Sequence, residues 1–115
     1  MVESIIKKPV SVRQTKINIG IKQAKQNKEC RDLLAELESS GWKIARNIDN
    51  DVICIELTKP QVSPSDVKIF DRLAKYIENN SSTEFKPEPY QTATPSVWWF
   101  FEYGKMRESH WGATL

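Results

Sequence analysis

His110 is the only histidine of this 115-residue chain, and it follows Glu108 and Ser109 directly. A carboxylate, a hydroxyl and an imidazole are the ingredients of nucleophilic or general acid–base chemistry. Their position argues against that use, because a tail flanked by Gly104 and Gly112 is a poor rigid platform for a catalytic group. Cys30 and Cys54 form no CxxC pair and sit beside no histidine cluster, so neither a zinc site nor a thioredoxin-type motif is indicated, and both read as small core residues. Asp49, Asn50 and Asp51 look like a fragment of a calcium loop. They lack its spacing and its distal glutamate, and a hairpin turn explains them better. Gly104 and Gly112 match no phosphate-binding loop. The sequence therefore offers no catalytic residue, metal set or cofactor motif, and a non-enzymatic protein is expected.

The chemistry that remains is recognition by aromatic rings. Six of the 11 aromatic residues fall in the last 18 positions, around the run Val97, Trp98, Trp99, Phe100, Phe101, Glu102, Tyr103. On a strand this run splits into two faces, Val97, Trp99, Phe101 and Tyr103 against Trp98, Phe100 and Glu102. One face can enter a core, and the other needs a cover from this chain, a second copy or a partner. Trp98, Trp99, Phe100, Tyr103 and Trp111 are the candidate partner-binding residues, since Trp and Tyr are favoured interface anchors.

A second candidate is electrostatic. Residues 1–28 carry seven Lys or Arg against Glu3 alone, so a segment at +6 precedes a body at −4. Lys16, Lys22, Lys25 and Lys28, with glutamines between them, are the candidate contacts to nucleic-acid phosphates. Base stacking of the kind used by ferredoxin-like RNA-binding modules finds no aromatic in the first or third expected strand, so it would rest on Trp98, Trp99 or Phe100 instead.

The elements that must position these residues can be read from periodicity. Residues 1–14 read as a flexible basic arm. Ile17, Ile19 and Ile21 alternate as a first strand, and Asn27 caps a helix from Lys28 that buries Cys30, Leu33, Leu34 and Leu37 before Gly41 stops it. Trp42 and Ile44 followed by Ile53, Ile55 and Leu57 spell a hairpin. Ser63, Pro64 and Asp66 open a second helix reaching about Glu78, with Phe70, Leu73, Ala74 and Ile77 inside and an Asp71–Lys75 pair outside. Residues 83–96, with Pro87, Pro89 and Pro95, read as a long loop, and 97–103 as the last strand.

This order, βαββαβ, predicts a single α+β domain over residues 15–104, a ferredoxin-like four-stranded antiparallel sheet with two helices, with a winged-helix-like arrangement as the alternative. Residues 105–115 are expected to be a tail. The longest apolar run, Val97 to Phe101, is far short of the ~20 residues of a membrane span, and the N-terminus has no apolar segment of signal-peptide length, so a cytoplasmic location is expected. The expected function is a small regulatory or accessory module that binds a protein, or a second copy of itself as a dimer, through the aromatic surface. The alternative is nucleic-acid binding by the basic segment.

Overall fold

The computed structural model describes residues 4–22, 26–46, 52–57, 61–87 and 96–111. Among these residues seven strands and two α-helices follow in the order β1 (Val10–Asn18), α1 (Lys28–Ser39), β2 (Trp42–Arg46), β3 (Val52–Leu57), β4 (Gln61–Val62), α2 (Pro64–Leu73), β5 (Ser81–Pro87), β6 (Ser96–Glu102) and β7 (Lys105–Trp111). Five strands form a curled antiparallel sheet in the order β4-β1-β5-β6-β7, and β2 and β3 pair with each other as a separate hairpin. Strand makes up 48% of the structure, which is therefore a half-barrel and not a ferredoxin-like sheet laid on two helices.

The local readings of the helices hold. The Asn27 side chain accepts a hydrogen bond from the Cys30 N–H, and α1 buries Cys30, Leu33, Leu34 and Leu37. Gly41 follows with φ 103°, a conformation free of penalty only for glycine. Ser63 caps α2 in a capping box with Asp66, and Pro64 occupies the first turn. The α-helix ends at Leu73 and a 3-10 turn, Ala74–Tyr76, completes it. Phe70, Leu73, Ala74 and Ile77 are all buried as expected. Lys75 departs from the expected pairing with Asp71, because its Nζ lies 2.7 Å from Glu29 of α1.

The sheet overturns the expected topology at three places. The first strand begins at Val10 rather than near Thr15, so the end of the supposed arm enters an interior strand, and Ser4 and Ile6 are buried. The supposed loop over 83–96 begins inside β5, whose Ser81, Thr83 and Phe85 point inward while Ser82, Glu84 and Lys86 alternate with them. The supposed tail forms β7, in register with the whole of β6 from Ser96–Trp111 to Glu102–Lys105. In each strand polar residues fill inward positions, which hid the period of two. Thr83, fully buried, donates to the Lys16 carbonyl at 2.9 Å and accepts from Gln14 Nε2 at 2.8 Å.

The concave face closes over one core. Val12, Phe85, Val97, Trp99, Phe101 and Met106 from the sheet meet Trp42 of the hairpin and Phe70 of α2. The rings of Trp42, Phe70, Phe85, Trp99 and Phe101 contact one another at centroid separations of 4.8–6.1 Å, mostly edge-on or tilted as their quadrupoles favour. Asp66 ties this cluster to the start of α2. One carboxylate oxygen accepts from Trp42 Nε1 at 3.2 Å and the other from the Ser63 N–H at 2.9 Å. Asp66→Ala removes its half of the capping box and orphans the indole N–H, and is expected to cost about 2 kcal/mol in chemical denaturation. An Asp66→Asn variant keeps one acceptor but sets an amide N–H against the donor on the other side, and should recover only part of that loss.

Candidate functional site

Alternation along β6 decides which aromatics are available. Trp99 and Phe101 are fully buried, whereas Trp98 and Phe100 lie half-buried on the convex face. There the two rings stack on each other, 5.4 Å apart with planes 6° from parallel. Each ring also carries a cation, and the two cations come from opposite sides of β6. Lys16 Nζ of β1 lies 5.6 Å from the Trp98 ring, and Arg107 of β7, directly across from Phe100, lies 4.7 Å from the Phe100 ring. The result is an exposed ridge in the order lysine, indole, phenyl, guanidinium.

Around the ridge the convex face is charged, with side chains exposed or half-buried. Arg13 and Lys86 face each other across β1 and β5, and Lys16 faces Glu84. The Thr15 hydroxyl donates to the Glu84 carboxylate. At the far end, a two-residue turn joins β6 to β7. Tyr103 and Gly104 both have positive φ, 52° and 75°, the geometry that matches the twist of a hairpin. The Asn79 side chain accepts from the Tyr103 N–H at 2.8 Å, which holds the tyrosine at the turn with 83% of its surface exposed. A groove of about 390 Å³ lies beside this turn, with Phe100 and Met106 as apolar lining and Glu102, Tyr103, Lys105 and Arg107 at its polar edge.

The sequence-predicted residues are thus sorted unevenly. Trp98 and Phe100 are together on the ridge, Tyr103 stands at its end, and Trp99 belongs to the core. Trp111 pairs with Ser96 at the end of β7, and its side chain lies outside the described residues. Of the four lysines, Lys16 joins the aromatic surface. Lys28 opens α1 and pairs with Asp32 at 2.9 Å, the Lys22 backbone N–H donates to the Tyr76 carbonyl, and Lys25 lies outside the described residues. The basic and aromatic candidates therefore meet only at Lys16 and Trp98 among the described residues. Arg107 and Lys105 were missed, although their alternation with Met106 was the signal that could have revealed a strand.

The grouping of Glu108, Ser109 and His110 does not form a nucleophile–base pair. Ser109 points outward and accepts from Arg107 Nη1, whereas Glu108 and His110 share the concave side. The Glu108 side chain is 2% exposed. It accepts from Ser4 Oγ at 2.6 Å, the Ile5 N–H at 2.9 Å, Trp99 Nε1 at 2.9 Å and His110 Nε2 at 2.8 Å. Burial pushes its carboxyl upward, but the donors of Ser4, Ile5, His110 and Trp99 together outweigh that and hold it below the usual range. This is an anchor for the N-terminal segment. A second exposed cluster joins the helices, where Lys75 and Tyr76 bond Glu29 and hold its carboxyl down to about 2.

Among the described residues no group of three or more His, Cys, Asp or Glu is placed to hold a metal ion, and no helix is long and apolar enough to cross a membrane. No protein-family model, curated protein or solved structure matches the chain.

Proposed function

We propose that this chain is a non-enzymatic binding module that engages a protein partner through the convex face of its sheet, with Trp98 and Phe100 as the anchors and Tyr103 at the rim. The observation that supports this reading is the half-buried Trp98–Phe100 pair on a face whose neighbouring positions are exposed or half-buried, while the rest of the aromatic run is enclosed. Large aromatics flanked by charged and polar positions are the composition of an interface hot spot. The core has no comparable claim, because among the described residues every buried side-chain polar atom has a partner.

The ring geometry favours a protein over a stacked nucleic acid. A single strand binds aromatic platforms by laying bases on open ring faces. Here each ring turns one face to the other ring and carries a cation, so a base would have to displace Lys16 or Arg107.

The double substitution Trp98→Ala with Phe100→Ala tests the reading. Each half-buried ring is expected to cost less than about 1.5 kcal/mol of stability, while truncating a hot spot costs 2 kcal/mol or more of binding, roughly a 30-fold loss. Affinity capture with the wild type, this variant and a Lys28→Ala control on α1 should yield a protein retained by the first and third and lost by the second. A second copy as the partner would appear as a concentration-dependent dimer in sedimentation that the variant abolishes. The same proteins on all three baits, with no dimer, would remove the ridge from the mechanism.

A further inference from the structure

The charges around the ridge go beyond naming a surface and indicate the chemistry of what it binds. On the described part of the convex face, Arg13, Lys16, Lys86, Lys105 and Arg107 outnumber the carboxylates. Glu84 and Glu102 are the acids there, and Glu84 is engaged by the Thr15 hydroxyl. The surplus of three positive charges is not visible in the chain as a whole, whose net charge is +2. Nor does it come from the basic N-terminal run, because three of these five cations lie in β5 and β7.

The arrangement is directional as well. Lys16 and Arg107 bracket the ridge from opposite sides, and the groove at the β6–β7 turn places apolar Phe100 and Met106 beside the cations of Lys105 and Arg107, with Glu102, across from Lys105, as its one acid. A groove of about 390 Å³ is the size of a side-chain pocket rather than of a second domain. A ligand that satisfies all of this carries anionic groups spaced along an extended chain and a small apolar group beside one of them.

We infer that the partner of the convex face is an acidic segment of a protein, whose carboxylates meet Lys16, Arg107 and Lys105 and whose neighbouring apolar side chain enters the groove at Phe100 and Met106. The inference rests on the ridge being a binding surface. Phosphates of a nucleic acid share the charge complementarity, but on the ridge their bases would have to displace the cations that lie over Trp98 and Phe100. An acidic peptide uses both the charges and the groove.

The test uses the full chain and three fluorescently labelled probes of matched length: a Glu-rich peptide containing one leucine, the same peptide without leucine, and oligothymidylate. The expected result is binding of the leucine-containing peptide that weakens as salt rises. Lys16→Gln with Arg107→Gln should weaken it by about tenfold, and loss of the leucine should weaken it by a similar factor. Peptide binding that ignores salt and the charge substitutions, yet falls with Trp98→Ala and Phe100→Ala, would overturn the acidic partner while leaving the ridge as the binding surface. Peptide binding that depends on the charges but ignores loss of both rings would support the acidic partner and overturn the ridge. Tighter binding of oligothymidylate, with tryptophan quenching lost in Trp98→Ala, would overturn the inference in favour of a stacked single strand.

Discussion

Trp99→Ala is expected to remove about 3–5 kcal/mol of folding stability, the largest effect of any single substitution in the aromatic run. Trp99 is fully buried and touches Phe70 at 5.4 Å and Phe85 at 4.9 Å, so truncation leaves a cavity where sheet, helix and hairpin converge. It also withdraws the indole donor from Glu108. Domains of this size are stable by 5–15 kcal/mol, so the variant keeps a half to two-thirds of a typical margin and its melting temperature should fall by roughly 12–25 °C. Trp99→Phe separates the two contributions. It keeps most of the packing and loses the N–H, and should cost about 1–2 kcal/mol. The adjacent Trp98→Ala supplies the contrast, since a shift of only a few degrees there and a large one at Trp99 is what opposite faces of one strand require. Equal shifts at the two positions would mean that β6 does not present its rings as described.

What could be read from the sequence follows from how much each element decides locally. Helix α1 was readable because Asn27, Gly41 and the spacing of Cys30, Leu33, Leu34 and Leu37 all act within one segment. Helix α2 was readable for the same reason, through Ser63, Pro64 and Asp66, and so was the pairing of β2 with β3. The sheet was not. Its inward positions on β5 are Ser81, Thr83 and Phe85, and on β7 Met106, Glu108 and His110, so a search for alternating apolar residues finds one in each strand. Those polar side chains are tolerated inside because distant partners satisfy them. Ser81 Oγ accepts from the Gly20 N–H at 3.2 Å, and Glu108 bonds Ser4 across 104 positions of sequence. A hydrogen bond of that range leaves no local pattern.

The candidate site was half visible for the same reason. The period of two along Val97 to Glu102 correctly divided the rings between two faces, but which face was the core depended on α2 and the hairpin arriving on one side. The cations that complete the ridge come from β1 and β7, and β7 carries no apolar alternation that marks it as a strand. Lys16 was singled out for phosphate binding as one of four lysines along the chain. Its use is set instead by β5, which places β1 two strands from Trp98 and lets a long side chain cross the gap.

The anchor at Glu108 makes the remaining large prediction. Glu108→Ala leaves the donors of Ser4, Ile5 and Trp99 without their buried acceptor and is expected to cost about 3 kcal/mol, and Glu108→Gln about 2 kcal/mol because an amide replaces one acceptor by a donor facing donors. The loss should be local first: amide exchange at Ile5 and Ile6, whose N–H groups bond Glu108 and Ser4, should accelerate more than exchange in α1. The pH dependence carries its own sign. The folded carboxyl sits below its unfolded value, so its contribution is complete above the unfolded glutamate pKa of about 4.3 and disappears as pH falls through the folded one. The stability gap between wild type and Glu108→Gln should therefore narrow as the solution is made more acidic than about pH 4. Glu29 also titrates below its ordinary range and destabilises both proteins alike on the acid side, so the difference isolates Glu108. Denaturation curves at neutral and acid pH check this, and a gap that stays constant into strong acid would show that the buried carboxylate is not what ties the N-terminal segment to the sheet.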